Sequence, residues 1–263
     1  MSINVEAAAQ ILSRGRLEKQ RIGALPDGLR PRDAAEGYVI QDALHDILSP
    51  TLGRISGHKI GCTTAVMQRF LNINSPCAGM VFERCVSRGA TKLPHAEFVR
   101  AGVECEIAVG LGVDLPPRGN PHDFASVAAA VEWLAAAIEV VDDRYENYKS
   151  LDTPTLIADD FFDAACVIAP PTNAWQALPI ANLNGRTFIN GVEVGRGKAG
   201  DVMGHPFHAV AWLANALNQR GHMLRAGEFV MSGSVVETRW VAPGDHVVVS
   251  IDHLGQAEAR FSA

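Results

Sequence analysis

An α+β architecture, with a curled or sandwiched sheet and a helical N-terminal lobe, follows from three observations on this 263-residue chain. Helical periodicity is concentrated at the start, and short β-like runs punctuated by Gly and Pro dominate from residue 57 onward. Strands also outnumber helices without alternating regularly with them, which argues against a doubly wound parallel sheet. The expected division is a helical lobe over 1–56 and a β-rich body over 57–263.

In chain order, residues 5–20 and 33–48 carry apolar positions at helical spacing. The second stretch opens on Asp33 with Glu36 three residues on, a capping-box-like start. A Gly/Pro-rich connector, 22–31, separates them. Strands are expected at 58–61, 79–86, 103–111, 138–141 and 165–168. One helix interrupts them over 124–137, where alanines, Val, Trp and Leu recur at helical spacing and lead directly into the strand carrying Glu139. The last third alternates again: a strand at 186–194, a helix at 207–219, then strands at 228–232, 246–251 and 257–261. Gly244-Asp245-His246, after Ala242-Pro243, reads as a turn feeding the β-branched run 247–251.

At 48% hydrophobic the chain is able to bury a sizeable core, and disorder is not expected. A net charge of −6 without any Lys/Arg block argues against a nucleic-acid partner. Cys62, Cys77, Cys85, Cys105 and Cys166 are odd in number and contain no CxxC pair, so they read as reduced thiols rather than a disulfide framework or a zinc site. No apolar run reaches membrane-spanning length. The start, 1–14, has an acidic Glu6 and no positively charged n-region, so it reads as a helix rather than a signal peptide. The expectation is a soluble, cytoplasmic protein with no membrane partner.

The most informative motif is Glu104-Cys105-Glu106, followed by Glu139 in an apolar run. On a strand, side chains repeat every second residue, so Glu104 and Glu106 share a face, and a neighbouring strand bearing Glu139 closes a three-carboxylate cluster. Such a cluster repels itself unless a divalent cation neutralises it, and hard oxygen ligands suit Mg²⁺ or Mn²⁺ at roughly 2.0–2.1 Å. Glu-x-Glu alone is more often a solvated face; here Val103, Ile107, Val109 and Leu111 alternate against the acids, and buried carboxylates rarely persist without a partner.

Lys59, in Gly57-His58-Lys59-Ile60-Gly61, is set to present its ammonium into a pocket, either pairing with a substrate carboxylate or exchanging protons with a depressed pKa. An exposed strand lysine fits the segment equally. His58 points the other way if the segment is extended. His205 and His208 flank Pro206 at a helix start, where a structural cap fits better than a zinc pair. Arg144, after Asp142-Asp143, fits an internal ion pair and a substrate anchor equally. Ser232-Gly233-Ser234 lacks the Gly-x-Ser-x-Gly context of a nucleophilic serine, and no phosphate-binding glycine loop is present.

The ordered set of motifs resembles the 2-keto-4-pentenoate hydratase and 4-oxalocrotonate decarboxylase family of the fumarylacetoacetate hydrolase superfamily. The matching segments include Gly57 to Gly61, Asn74-Ser75-Pro76, Glu104 to Ala108, Glu139 to Arg144, Ala158-Asp159, Gly204-His205-Pro206 and Ala211 to Asn215. Ala226-Gly227-Glu228, leading on to Ser232-Gly233, completes the set, which covers most of the chain. The resemblance implies that Glu104, Glu106 and Glu139 hold Mg²⁺ or Mn²⁺, that Lys59 lies beside a small 2-oxo or 2-hydroxy-dienoate substrate, and that Cys77, Arg144 and Asp160 belong to the substrate pocket. It also implies a mixed β-sheet roll or sandwich core and a homo-oligomer. Two departures stand out. Cys77 occupies the place after Ser-Pro where the hydratases usually carry Asp and the decarboxylases an apolar residue, and Asp160-Phe161-Phe162-Asp163-Ala164-Ala165 replaces an Asn- and Ser-containing stretch.

The expected activity is metal-dependent hydration of a 2-hydroxy-2,4-dienoate, such as a 2-keto-4-pentenoate, to a 4-hydroxy-2-oxo acid in aromatic catabolism. Decarboxylation of a 2-oxo-3-enedioate uses the same electron sink and is favoured by Cys77. Acylpyruvate hydrolysis, and non-catalytic binding of a 2-oxo acid, are the further alternatives.

Overall fold

The structure, a computed structural model, describes residues 3–71 and 73–263. Met1 and Ser2, at the head of the stretch read as helical, lie outside the described residues. In chain order the elements are α1 (Val5–Leu17), α2 (Ala34–Leu52), β1 (Ile55–Gly61), α3 (Ala65–Phe70), β2 (Cys77–Phe82), β3 (Val86–Arg88), β4 (Ala90–Pro94) and β5 (Ala101–Leu111). Then follow α4 (Phe124–Ala130), β6 (Val131–Asp142), α5 (Thr153–Ala158), β7 (Asp163–Ile168), β8 (Asn184–Ile189), β9 (Val192–Lys198) and α6 (Pro206–Gln219). β10 (Phe229–Met231), β11 (Val236–Trp240), β12 (His246–Ile251) and β13 (Gly255–Ser262) complete the chain.

The first two helices start where their caps dictate. Asn4 accepts from the Ala7 amide and Asp33 from the Glu36 amide, each satisfying a donor that the helix leaves open. Their apolar faces close on one another through Ala8, Leu12, Ile40, Leu44 and Leu48, with Phe82, Tyr145 and Ala158 completing this smaller core.

The strands form two mixed sheets among the described residues. One runs β2-β1-β10-β5-β6-β7-β3, with β11 also on β5; the other runs β4-β13-β12-β8-β9. The β1–β10, β3–β7 and β4–β13 pairs are parallel and the remainder antiparallel. The larger sheet curls until β2 packs on β7 from the far side of the order. The smaller sheet packs on its outer face, where β12 and β13 meet β6, and β8 and β12 meet β5. Thus Val103, Cys105 and Ile107 enter the inter-sheet core, and the alternate residues Glu104 and Glu106 turn to the inner side of the curl.

The expected helix over 124–137 is corrected. It ends at Ala130, and residues 131–142 are a strand. This strand is paired on both edges, by β5 and β7, and from Leu134 onward is buried throughout. A strand buried on both faces loses its polar alternation, and its run of alanines then mimics helical spacing. The run expected at 186–194 is a hairpin, turning at Asn190-Gly191 where both residues take positive φ. The turn at 242–245 forms as expected, with the Asp245 amide donating to Ala242 O at 3.1 Å.

Candidate metal centre

The three glutamates converge because of strand register. Glu104 lies directly opposite Glu139 in the β5–β6 pair, and Glu106 sits one pleat further along the same face. That register is pinned by Gly110 opposite Trp133, whose indole fills the space a side chain at 110 would need. One carboxylate oxygen from each glutamate lies within 4.8 Å of the others. Glu106 and Glu139 are 1% and 0% exposed, and Glu104 is half-buried.

Two of the acids are held by specific donors. The Gly233 amide donates to Glu106 Oε2 at 2.8 Å, and the Thr238 hydroxyl donates to Glu104 Oε1. Lys59 Nζ lies 3.0 Å from Glu139 Oε1, a buried ion pair. Glu106 Oε1 and Glu139 Oε2 have no hydrogen-bond donor among the described residues. Burial first, and then Glu139, push Glu104 up to about 6. Burial and both neighbouring acids raise Glu106 well above the carboxylate range. With all three ionised, one lysine against three carboxylates leaves two negative charges. A small divalent cation with oxygen ligands satisfies both the surplus charge and the undonated oxygens, so the residues present fit such an ion.

Lys59 reaches the cluster from β1. It is 4% exposed, and its ammonium also donates to Phe161 O at 3.2 Å. Burial works to lower its pKa, but Glu139 and Glu104 outweigh this and hold it above the ordinary lysine value. Of the two ways to use Lys59, this direction favours the counter-charge over proton exchange at a depressed pKa. Lys59 pairs with Gly79 and Gly61 with Cys77, so Cys77 shares the face of the β1–β2 pair from which Lys59 projects. The hydrogen bond to Cys62, and then burial, raise the Cys77 thiol. Cys77 also lines a cleft of about 1100 Å³ together with Tyr38, Ile73, Pro76, Trp212 and Arg220.

The other candidates have internal partners. Arg144 is 1% exposed and donates to Asp159 Oδ2 at 2.9 Å, which resolves its two readings toward the internal ion pair. Asp160, assigned to the substrate pocket, is 0% exposed and is bound by Arg16, His45 and the Met80 amide. His205 caps α6, its Nδ1 accepting from the Phe207 amide at 3.0 Å; burial, with His208 beside it, lowers it to about 4. Ser232 is buried and its Oγ donates to Ile107 O at 2.9 Å. Sequence reasoning missed the supports: Gly233 as a donor, Thr238, Arg16 and His45. Only Gly233 carried a signal, as part of the Ser232-Gly233 motif.

Comparisons with known proteins identify the family. The fumarylacetoacetate hydrolase C-terminal family profile matches residues 82–262, and the chain belongs to that family. It is 29% identical over 260 residues to a 2-keto-4-pentenoate hydratase of Paraburkholderia phymatum, covering 98% of this chain and 97% of that one. It is likewise 29% identical over 259 residues to a 4-oxalocrotonate decarboxylase of Pseudomonas putida, covering 98% and 96%. Among solved structures, 4-oxalocrotonate decarboxylase from Pseudomonas putida G7, complexed with magnesium and adipate, superposes with a TM-score of 0.91 at 26% identity, covering 98% of this chain and 97% of that one. The resemblance read from the motifs, and the mixed-sheet core it implied, are borne out.

Proposed function

We propose that this chain is a divalent-metal-dependent hydro-lyase that adds water to a 2-hydroxy-2,4-dienoate, or its 2-oxo-enoate tautomer, to give a 4-hydroxy-2-oxo acid in aromatic-compound catabolism. The observation that carries the proposal is the trio Glu104, Glu106 and Glu139, with two undonated buried oxygens and surplus negative charge beside Lys59. The hydratases and the decarboxylase to which the chain is similar along nearly its full length support the same chemistry.

In this reading Glu104, Glu106 and Glu139 hold Mg²⁺ or Mn²⁺. Such an ion, when bound, supplies positive charge against the oxyanion that a 2-oxo acid develops on enolisation. Gly233 and Thr238 keep two of the ligands from turning away. Lys59 offers a remaining N–H to the substrate. The substrate tail extends past Lys59 toward Cys77 and the cleft beyond it. The proposal includes a cytoplasmic homo-oligomer, with 1–56 as a lobe packed on the catalytic body of 57–263.

Decarboxylation of a 2-oxo-3-enedioate is the second reading, and Cys77 favours it. The related hydratases usually carry a carboxylate at this place, whereas the Cys77 thiol is raised by its bond to Cys62 and by burial, and so is poorly suited to activate water.

The test is an NMR product assay with freshly generated 2-hydroxypenta-2,4-dienoate, with Mg²⁺ or Mn²⁺ and with chelator. Metal-dependent appearance of 4-hydroxy-2-oxopentanoate, abolished in Glu106→Ala, is expected. An unchanged or merely ketonised substrate, with CO₂ released instead from a 2-oxo-3-enedioate, would transfer the assignment to the decarboxylase.

A further inference from the structure

The segment Asp160-Phe161-Phe162 runs through three consecutive residues with left-handed φ, at 51°, 48° and 68°. Non-glycine residues adopt this conformation singly, and each costs energy, so three in succession persist only where surrounding contacts over-determine them. Those contacts converge on the Asp160 carboxylate. It accepts from Arg16 Nη1 at 2.7 Å, from His45 Nε2 at 2.9 and 3.0 Å, and from the Met80 amide at 3.0 Å. All three side chains are buried, Arg16 at 6%, His45 at 5% and Asp160 at 0% exposure. The C-terminal flank is tied by the same arginine: Arg16 Nη2 donates to Asp163 O at 2.6 Å.

The geometry has a direct consequence one residue further on. The forced turn aims the Phe161 carbonyl at Lys59 Nζ, 3.2 Å away, and sets the Phe161 ring with its centroid 5.9 Å from that nitrogen. The ammonium is thereby held from two sides, by Phe161 O and by Glu139 Oε1, and one of its three N–H donors is left for another acceptor. Without the carbonyl, Glu139 Oε1 is the remaining polar partner of the ammonium among the described residues. Gly79 allows the approach: a Cβ there would sit 3.1 Å from Asp160 O and 3.1 Å from the Lys59 stem.

We infer that Asp160 is a positioning residue for Lys59, and that Arg16 of α1 and His45 of α2 enforce it, so that the N-terminal helices set the direction of the site's lysine. Both helices precede the 82–262 family match, and the DFFDAA stretch is where this chain departs from the sequence pattern it otherwise resembles. The kinetic part of the test rests on the hydro-lyase proposal; the spectroscopic part does not.

The experiment compares wild type with Asp160→Asn and Arg16→Lys, using Asp159→Asn as a control that breaks a neighbouring buried ion pair without touching Lys59. Lysine Nζ NMR on ¹⁵N-lysine protein is a clean probe, because the other four lysines, Lys19, Lys92, Lys149 and Lys198, are exposed. The wild type is expected to show one slowly exchanging ammonium signal, lost or shifted in Asp160→Asn and Arg16→Lys and kept in Asp159→Asn. In the same two variants kcat is expected to fall at least tenfold with KM within threefold and Mn²⁺ affinity within threefold. Wild-type signal and kcat in a folded Asp160→Asn or Arg16→Lys would overturn the inference, as would equal losses in Asp159→Asn. If Asp160→Asn does not fold, Arg16→Lys decides. If the wild type turns over no dienoate, the hydro-lyase proposal fails and the NMR comparison alone decides the positioning role.

Discussion

Gly233 shows how much the centre asks of a single residue. Its φ of +118° lies in the region that glycine alone enters freely, and a Cβ there would sit 2.4 Å from Thr63 Oγ1. Its amide must nevertheless point at Glu106 Oε2, 2.8 Å away. Gly233→Ala is therefore expected to strain the turn and withdraw that donor, costing roughly 1–3 kcal/mol for the unsatisfied buried carboxylate and at least tenfold in metal affinity. Isothermal titration with Mn²⁺ checks this; unchanged affinity would mean that the amide plays no part in holding Glu106. Glu104 and Glu106 were legible in sequence because i, i+2 spacing on a strand is a local rule, and Glu139 because it stands in an apolar run. The Asp160 contacts were not, since Arg16 and Asp160 stand 144 positions apart and only the folded chain brings them together.

Among the elements, the segment 160–162 carries a pH signature whose sign follows from its partners. Burial works to raise the Asp160 carboxyl, but His45, Arg16 and the Met80 amide together hold it below its ordinary value. A carboxyl depressed in the folded state adds stability above its unfolded pKa of about 3.9 and loses it as pH falls through the folded value. Asp160→Asn removes one partner from a buried charged network, a loss of roughly 3–5 kcal/mol at neutral pH. Urea denaturation from pH 7 to 3 is expected to show that deficit constant down to about pH 4 and narrowing below it; a deficit that widens in acid would contradict the assignment. Element boundaries were less legible than motifs. β6 was misread at its start because its double burial erased the alternation, whereas the β8–β9 hairpin carried an Asn190-Gly191 signal that fits its turn.

For the molecule as a whole, the curl of the larger sheet explains how Lys59, on β1, meets Glu139, on β6, although β10 and β5 lie between them in the order. It also concentrates acid in a buried interior, a cost that the bound ion is expected to offset. Ligand linkage gives about 2.7 kcal/mol at a metal concentration 100 times Kd, which for a chain of this size corresponds to a Tm rise of about 5–10 °C. Mg²⁺ or Mn²⁺ added to chelator-treated protein is expected to produce that rise in wild type and none in Glu106→Gln. In chelator, Glu106→Gln is expected to melt at or above wild type, because it removes a like charge from the cluster. Equal shifts in both proteins would locate the stabilising ion elsewhere. Among the described residues no helix is long and apolar enough to cross a membrane.

The central claim is that Glu104, Glu106 and Glu139 form one divalent-metal centre, and Mn²⁺ titration followed by electron paramagnetic resonance tests it most directly. One bound Mn²⁺ per chain in wild type, lost in Glu139→Gln while the circular dichroism spectrum is unchanged, is the predicted result. Stoichiometric Mn²⁺ binding retained in a folded Glu139→Gln would contradict it.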